Sequence, residues 1–331
     1  MDSNNSTQVL FFQHIKSILP AHISFVDEVA GVLDISNDSA YRRIRGEKPI
    51  SLDEMQKLAN HFKISIDQFL HIKSDSFIFS GSLANAGEHV FERWMENILK
   101  QLTLINSFKE KHLYYLAKDL PIMNQFMAPE LLAFKSFLWR RSILHYENMK
   151  GTKFSLREIV PEHIELGKKI EQVYTQIPST EIWNLESINS TIRQIEFYRE
   201  SNMFETEDDV KKIYQAVLRV INHLEQQAEA GVKFQYGSTA LPGSVTYNML
   251  WNDLVLGDNT VMFEMDGRRI TILNHSVINF ISTTDERFNA YMFDMLQTLV
   301  KRSTQLSKVG EKERYRFFNR IRDKMKLAAR L

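Results

Sequence analysis

Between Ile35 and Ser51 the chain reads ISNDSAYRRIRGEKPIS, and this short window holds Arg42, Arg43, Arg45 and Lys48. Guanidinium forks and ammonium groups bind anions, phosphate above all, and a guanidinium also matches paired acceptors on a base edge. Asn37 and Asp38 stand just ahead of them. An Asn side chain gives and takes hydrogen bonds at once, whereas an ionised Asp only accepts. The rest of the chain does not share the positive charge: 41 Lys and Arg balance 41 Asp and Glu. Any grip on a polyanion must therefore come from local clusters rather than from a global field. A second cluster closes the chain from Lys301 on, where Lys308, Lys312, Arg314, Arg316, Arg320, Arg322, Lys324, Lys326 and Arg330 outweigh Glu311, Glu313 and Asp323.

Other chemistry is thinly represented. There is no Cys, hence neither a disulfide framework nor a thiolate metal site. The ten His residues form no HExxH pairing, and His145 and His275 stand singly. GEHVFERW and VPEHIELGKK each carry a Glu-His pair without a third ligand nearby. GSTALPGS, from Gly237 to Ser244, lacks the Lys of a phosphate loop and the strand–turn–helix setting of a nucleophile elbow, and reads as a linker. The expectation is a chain that is not an enzyme and carries no metal and no cofactor. The N-terminal residues lack the basic start and apolar run of a signal peptide. FMAPELLAFKSFLW, the longest apolar stretch, is broken by Glu130 and Lys135 and is too short to span a bilayer. A cytoplasmic location with no membrane association is expected.

The elements that must position the arginines are short helices. Ser24, Ser51 and Ser65 open capping-box spacings, with Asp27, Glu54 and Gln68 three residues on. Val26, Val29, Ala30 and Leu33 share one helical face, and Leu52, Met55, Leu58, Ala59 and Phe62 share another. Between them Asp34 and Ile35 form a tight turn. A second helix then runs from Ser36, a good N-cap, to Arg45, and Gly46 and Pro49 end it. This is a helix-turn-helix layout in residues 1–73. From Phe79 to Gly231 the spacing predicts helices throughout, and Trp94, Trp139, Trp183 and Trp251 are assigned to core more readily than to a ligand pocket. After residue 232 alternating Val261, Phe263 and Met265 lead into Asp266-Gly267, a hairpin signal. A tail helix from Glu311 to Arg330 carries an apolar seam of Tyr315, Phe318, Ile321, Met325 and Ala328. The predicted fold is mainly α. It comprises a five-helix N-terminal domain, a helical region at 79–231 for dimerisation or sensing, and a small α+β portion at 232–331 with an antiparallel hairpin.

The first of these zones resembles the lambda-repressor-like (Xre/Cro) family of DNA-binding domains. The pattern spans Val9 to Ile72: Val29-Ala30, Leu33, Ile35-Ser36, Arg42, Arg45-Gly46, Ser51-Leu52, Leu58-Ala59, Ile64 to Asp67, and Phe69-Leu70. The resemblance implies that Asn37, Asp38 and Arg42 touch base edges in the major groove. It makes Ser39, Arg45 and Lys48 phosphate contacts, and puts Tyr41 against the backbone or a thymine methyl. The sequence departs from the family at Val26, where a polar residue is usual, and at Arg43, where an apolar anchor is usual. With Ile44 supplying that anchor, Arg42 and Arg43 can exchange roles as DNA contacts. The function implied is a sequence-specific transcriptional regulator binding double-stranded DNA as a homodimer, its remaining chain open to an unknown effector. The alternative is a module that uses the same layout to bind protein partners, for example in a defence or toxin-regulating complex.

Overall fold

The computed structural model describes residues 6–19, 23–62, 64–69, 77–81, 89–254, 258–274 and 278–329. Leu70, Ile72, His275 and Arg330, singled out above, lie outside the described residues. Among the described residues, no helix is long and apolar enough to cross a membrane. The chain divides into two compact units, Met1–Ile78 and Phe79–Leu331.

The first unit holds α1 (Thr7–Ile18), α2 (Phe25–Leu33), α3 (Asn37–Ile44), α4 (Leu52–Phe62) and the short α5 (Ile66–Phe69). Helices this short are marginal alone and persist because each buries a stripe against the others. Phe11, Phe12, Ile15, Val29, Ala30, Leu33, Ala40 and Leu58 form that shared core. Leu52, expected on the buried face of α4, is 82% exposed: it occupies the first turn, beyond the edge of the bundle.

The second unit corrects the picture of a helical region followed by a small hairpin. Among the described residues it is built on one eight-stranded mixed sheet, in the order β1-β7-β6-β5-β2-β3-β4-β8. The strands are β1 (Ser80–Gly81), β2 (Lys111–Ala117), β3 (Ser179–Trp183), β4 (Tyr247–Trp251), β5 (Thr260–Met265), β6 (Arg268–Asn274), β7 (Phe280–Thr283) and β8 (Thr304–Gln305). β2, β3 and β4 run parallel, and the remaining pairs are antiparallel. No boundary falls at residue 231, because β2 and β3 from one side pair with β4 and β5 from the other. The hairpin β5–β6 does turn at Asp266-Gly267, both with positive φ, 45° and 79°.

Parallel neighbours need crossovers, and these are helical. α7 (Pro129–Leu138) and α8 (Pro161–Tyr174) lead from β2 to β3, and α9 (Asn189–Glu200) and α10 (Glu207–Ala230) from β3 to β4. They pack on one sheet face together with α6 (Val90–Asn106) and α12 (Glu311–Ala329). α11 (Glu286–Arg302) covers Leu116, Ile182, Leu250 and Met262 on the other face. Within α12 the buried residues are Phe317, Phe318, Ile321 and Met325. Tyr315 is exposed, and Arg314 is buried with its guanidinium on the carbonyls of Leu306 and Lys308. Trp139 and Trp183 are core, as expected, while Trp251 lies half-buried under the guanidinia of Arg316 and Arg320.

On β3, an inner strand of the sheet, sits a fully buried carboxylate. Glu181 of β3 accepts hydrogen bonds from the Tyr174 and Tyr247 hydroxyls, the Ser179 hydroxyl at 3.2 Å and the Trp183 Nε1–H at 3.0 Å. Lys233 lies on the ring of Tyr174, its Nζ 3.5 Å from the centroid. Burial pushes its ammonium down to about 7, and the charge of Glu181 opposes that shift. Four donors and a nearby cation compensate an anion that would otherwise be very costly to bury. Glu181→Leu is expected to destabilise this unit by about 3 kcal/mol or more, because those donors lose their acceptor. All four Trp residues belong to this unit, so urea unfolding followed by Trp fluorescence measures the loss.

Candidate nucleic-acid interface

The two helices of the expected motif are α2 and α3. α2 ends at Asp34, which takes the left-handed conformation, φ 54° and ψ 53°. An Asp tolerates this region because its short polar side chain bonds locally. The Ile35 amide reaches back to the Ala30 carbonyl at 3.1 Å and closes the turn. Ser36 then caps α3, its hydroxyl accepting from the Ser39 amide at 3.4 Å. Gly46 stops the helix with φ +76°. A Cβ there would approach Val9 of α1 to 3.1 Å, so both conformation and space favour glycine.

The four cations part company in the structure. Arg43, assigned above to the DNA-contacting set, is 6% exposed and faces inward. Its Nε and Nη2 donate to the two carboxylate oxygens of Glu54 at 3.2 and 2.7 Å, and its Nη1 donates to the Ser39 carbonyl at 3.2 Å. Glu54 is also the third residue of the α4 capping box. Its Oε2 accepts from the Ser51 amide at 2.9 Å, and the Ser51 hydroxyl accepts from the Glu54 amide at 3.1 Å. One carboxylate thus caps α4 and anchors α3. Chiefly through the Arg43 hydrogen bond, and against partial burial, the Glu54 carboxyl is held below its ordinary range. Arg43 is therefore corrected from a DNA contact to the anchor between helices. It fills with an ion pair the place where an apolar side chain is usual, and Ile44 beside it is half-buried against the core of this unit.

With Arg43 inward, helical geometry turns Asn37, Asp38, Tyr41, Arg42 and Arg45 outward, and all five are exposed. Among the described residues, no side-chain partner engages the Arg42 guanidinium. Arg45 stacks over the Tyr41 ring at 4.7 Å and lies 3.6 Å from Glu47. Lys48 is exposed in the following loop, and Ser39 is half-buried. Asn37 gives one amide hydrogen to Asp27 Oδ1 at 2.7 Å, which leaves its other N–H and its oxygen available for a paired contact. Asp27 and Asp38 put negative charge beside the start of α3. Glu28 next to them is engaged by His61 at 2.8 Å.

Sequence reading missed Gln8. From α1 its amide donates to the carbonyls of Arg43 and Lys48, each at 2.7 Å, and its oxygen accepts from the Ile50 amide at 3.1 Å. One side chain thereby replaces a turn of backbone pairing for the loop after α3. The contact is 35 or more residues away along the chain, so no local pattern announces it.

Two motifs noted in the sequence also meet, in the second unit. His163 of VPEHIELGKK lies 2.8 Å from Glu92 of GEHVFERW through Nε2, and 2.8 Å from Ser136 Oγ through Nδ1. Burial lowers the His163 imidazole, the Glu92 contact opposing it. The relay ties α6, α7 and α8 together. Ser136 lies inside α7, where the neighbouring backbone amides are bonded along the helix and do not form an oxyanion site. Among the described residues, no cluster of three His, Asp or Glu is placed to hold a metal ion.

Residues 21–85 match the family model of the BetR domain. The stretch is a helix-turn-helix-like domain of DNA-binding type, and it contains α2 to α5. Gln8 and the rest of α1 lie ahead of the BetR match. No curated protein and no solved structure matches the chain.

Replacing Arg43 with Met should cost the first unit about 2–4 kcal/mol, since Glu54 is left half-buried without its cation. Arg42→Ala should stay within about 0.5 kcal/mol. Because the Glu54 carboxyl is depressed in the folded state, its contribution is present above the unfolded carboxylate range and disappears as pH falls through the folded value. Hydrogen exchange of α3 and α4 amides in the full chain, for both variants and for Glu54→Gln across acidic pH, reads these effects.

Proposed function

We propose that the chain is a sequence-specific DNA-binding transcriptional regulator of the lambda-repressor-like (Xre/Cro) kind, reading the major groove with α3. The observation that carries this is the sorting of the arginines: the one that turns inward orients the helix, and Arg42 and Arg45 are turned outward and exposed. Arg42 and Asn37 have the donor and acceptor sets for guanine and adenine edges, and Asp38 accepts from a cytosine amine. Arg45, Lys48, Ser39 and Tyr41 serve as positioning contacts to the backbone. The protein acts as a homodimer on paired half-sites, since one small domain gives little specificity. The second unit supplies assembly or effector response, and the protein is cytoplasmic and is not an enzyme.

A second reading has its own support. A groove of about 660 Å³ on the first unit is lined by Phe12, Phe25, Val26, Tyr41, Ile44 and Arg45, and Asp27 and Asp38 are unfavourable to phosphates. This favours a protein segment docked on the same face.

Counterion release separates the two. For DNA binding, the logarithm of affinity should fall steeply and linearly with the logarithm of salt concentration, and Lys48→Gln should lower the slope by about one unit on every sequence tested. Fluorescence anisotropy with labelled duplexes measures this. A flat response across low and moderate salt sinks the DNA reading.

A further inference from the structure

Open α/β sheets bind ligands in the crevice outside the carboxyl ends of their parallel strands. The second unit has a cleft of about 640 Å³ in that place. Lys118 and Asp119, immediately after β2, line one side, and Glu186 and the first turn of α9 follow β3 on another. The wall between them comes from the end of α7 and from Trp139–Ile143, one turn of π-helix. Such turns carry wide hydrogen-bond rings and recur at functional sites.

Three features of this cleft lack an internal explanation. Beneath it lies Lys135, 2% exposed, whose Nζ donates to Thr191 Oγ1 at 3.0 Å and to Gln194 Oε1 at 2.6 Å. Among the described residues, no carboxylate lies within ion-pairing distance of that ammonium, so a buried cation is met only by neutral oxygens. Gln194 itself lines the cleft, so the side chain that accepts from Lys135 is part of the cleft wall. Arg193, one residue earlier on α9, is exposed at the cleft with no ion pair among the described residues. Finally, Phe197 and Ile143 leave 58% and 37% of their surface exposed along the same cleft.

The acids present do not cancel these cations. Glu186 is held by Lys324 at 2.8 Å and by the Asn189 amide, and Lys118 pairs with Asp258 at 2.7 Å. Asp119 is half-buried, and its charge acts on Lys135 from beyond contact distance.

We propose that this cleft binds a small organic anion, its charged head over Lys135 and Arg193 and its apolar body against Ile143 and Phe197. The ligand class follows from complementarity: the head supplies the missing countercharge, and a ring or short alkyl body covers the exposed side chains. This inference concerns the second unit alone and stands whether or not the first unit reads DNA. Binding carries a proton signature. Burial pushes the Lys135 ammonium down to about 7, and a bound anion restores it toward its ordinary value. Slightly above neutral pH, complex formation should therefore take up protons.

The test is isothermal titration of the full chain with phenyl phosphate, benzoate, inorganic phosphate and benzyl alcohol, in buffers of different ionisation enthalpy. Saturable binding of phenyl phosphate or benzoate, tighter than inorganic phosphate and absent for benzyl alcohol, is expected, and the better of the two assigns the head group. Arg193→Ala, an exposed change that spares the core, should weaken binding about tenfold or more. Lys135→Met should abolish the proton uptake. The proposal fails if none of the anions binds, or if binding and proton uptake are unchanged in both variants.

Discussion

The contact between Arg43 and Glu54 decides what the first unit presents to the outside. A helix has one orientation about its own axis that buries its anchor, and every other side chain follows from that choice at a hundred degrees per residue. Here the anchor is a guanidinium, and its fork meets both oxygens of a single carboxylate. The same carboxylate closes the capping box of α4, so α3 and α4 cannot shift independently without breaking a cap or an ion pair. Gln8 adds the third side by holding the carbonyls at the end of α3 and in the loop beyond it. Three polar side chains thereby set a bundle whose apolar core alone, eight residues deep in its buried part, would tolerate rotation of a helix this short.

The second unit shows the same economy at larger scale. Its central strands are covered on both faces, so orientation cannot be set by a wet side and a dry side. The buried Glu181 network supplies direction instead: hydroxyls from α8 and β4 and the indole of β3 converge on one carboxylate, which a shifted register would leave unmatched. The Ser136–His163–Glu92 relay pins three helices over the sheet in a comparable way.

Much of the first unit was legible in the sequence because its signals are local. Ser36, Asp34, Gly46 and Pro49 mark the turn and the limits of α3 by their own conformational preferences, and Ser51 with Glu54 marks the start of α4. The inward turn of Arg43 was hidden because an Arg run normally reads as a solvated face. The available clue was the capping-box Glu with the apolar anchor missing eleven residues before it. In the second unit the Asp-Gly hairpin was visible, whereas β2 and β3 were not. KHLYYLA is buried on both faces and shows no alternation, and STEIW carries a Glu in the middle of a fully buried strand. The pairing of β2 with β5 spans some 150 residues, a relation that periodicity within one segment does not express.

The account rests on a division of labour among neighbouring arginines, with Arg43 holding α3 in place and Arg42 and Arg45 using the face it exposes. Selection of bound fragments from random double-stranded DNA, with the native chain beside an Arg42→Ala, Arg45→Ala double variant, tests that most directly. The account predicts a two-fold-symmetric motif for the native chain and its loss in a variant that remains folded. No enrichment for the native chain at low salt, or the same motif from both proteins, would contradict it.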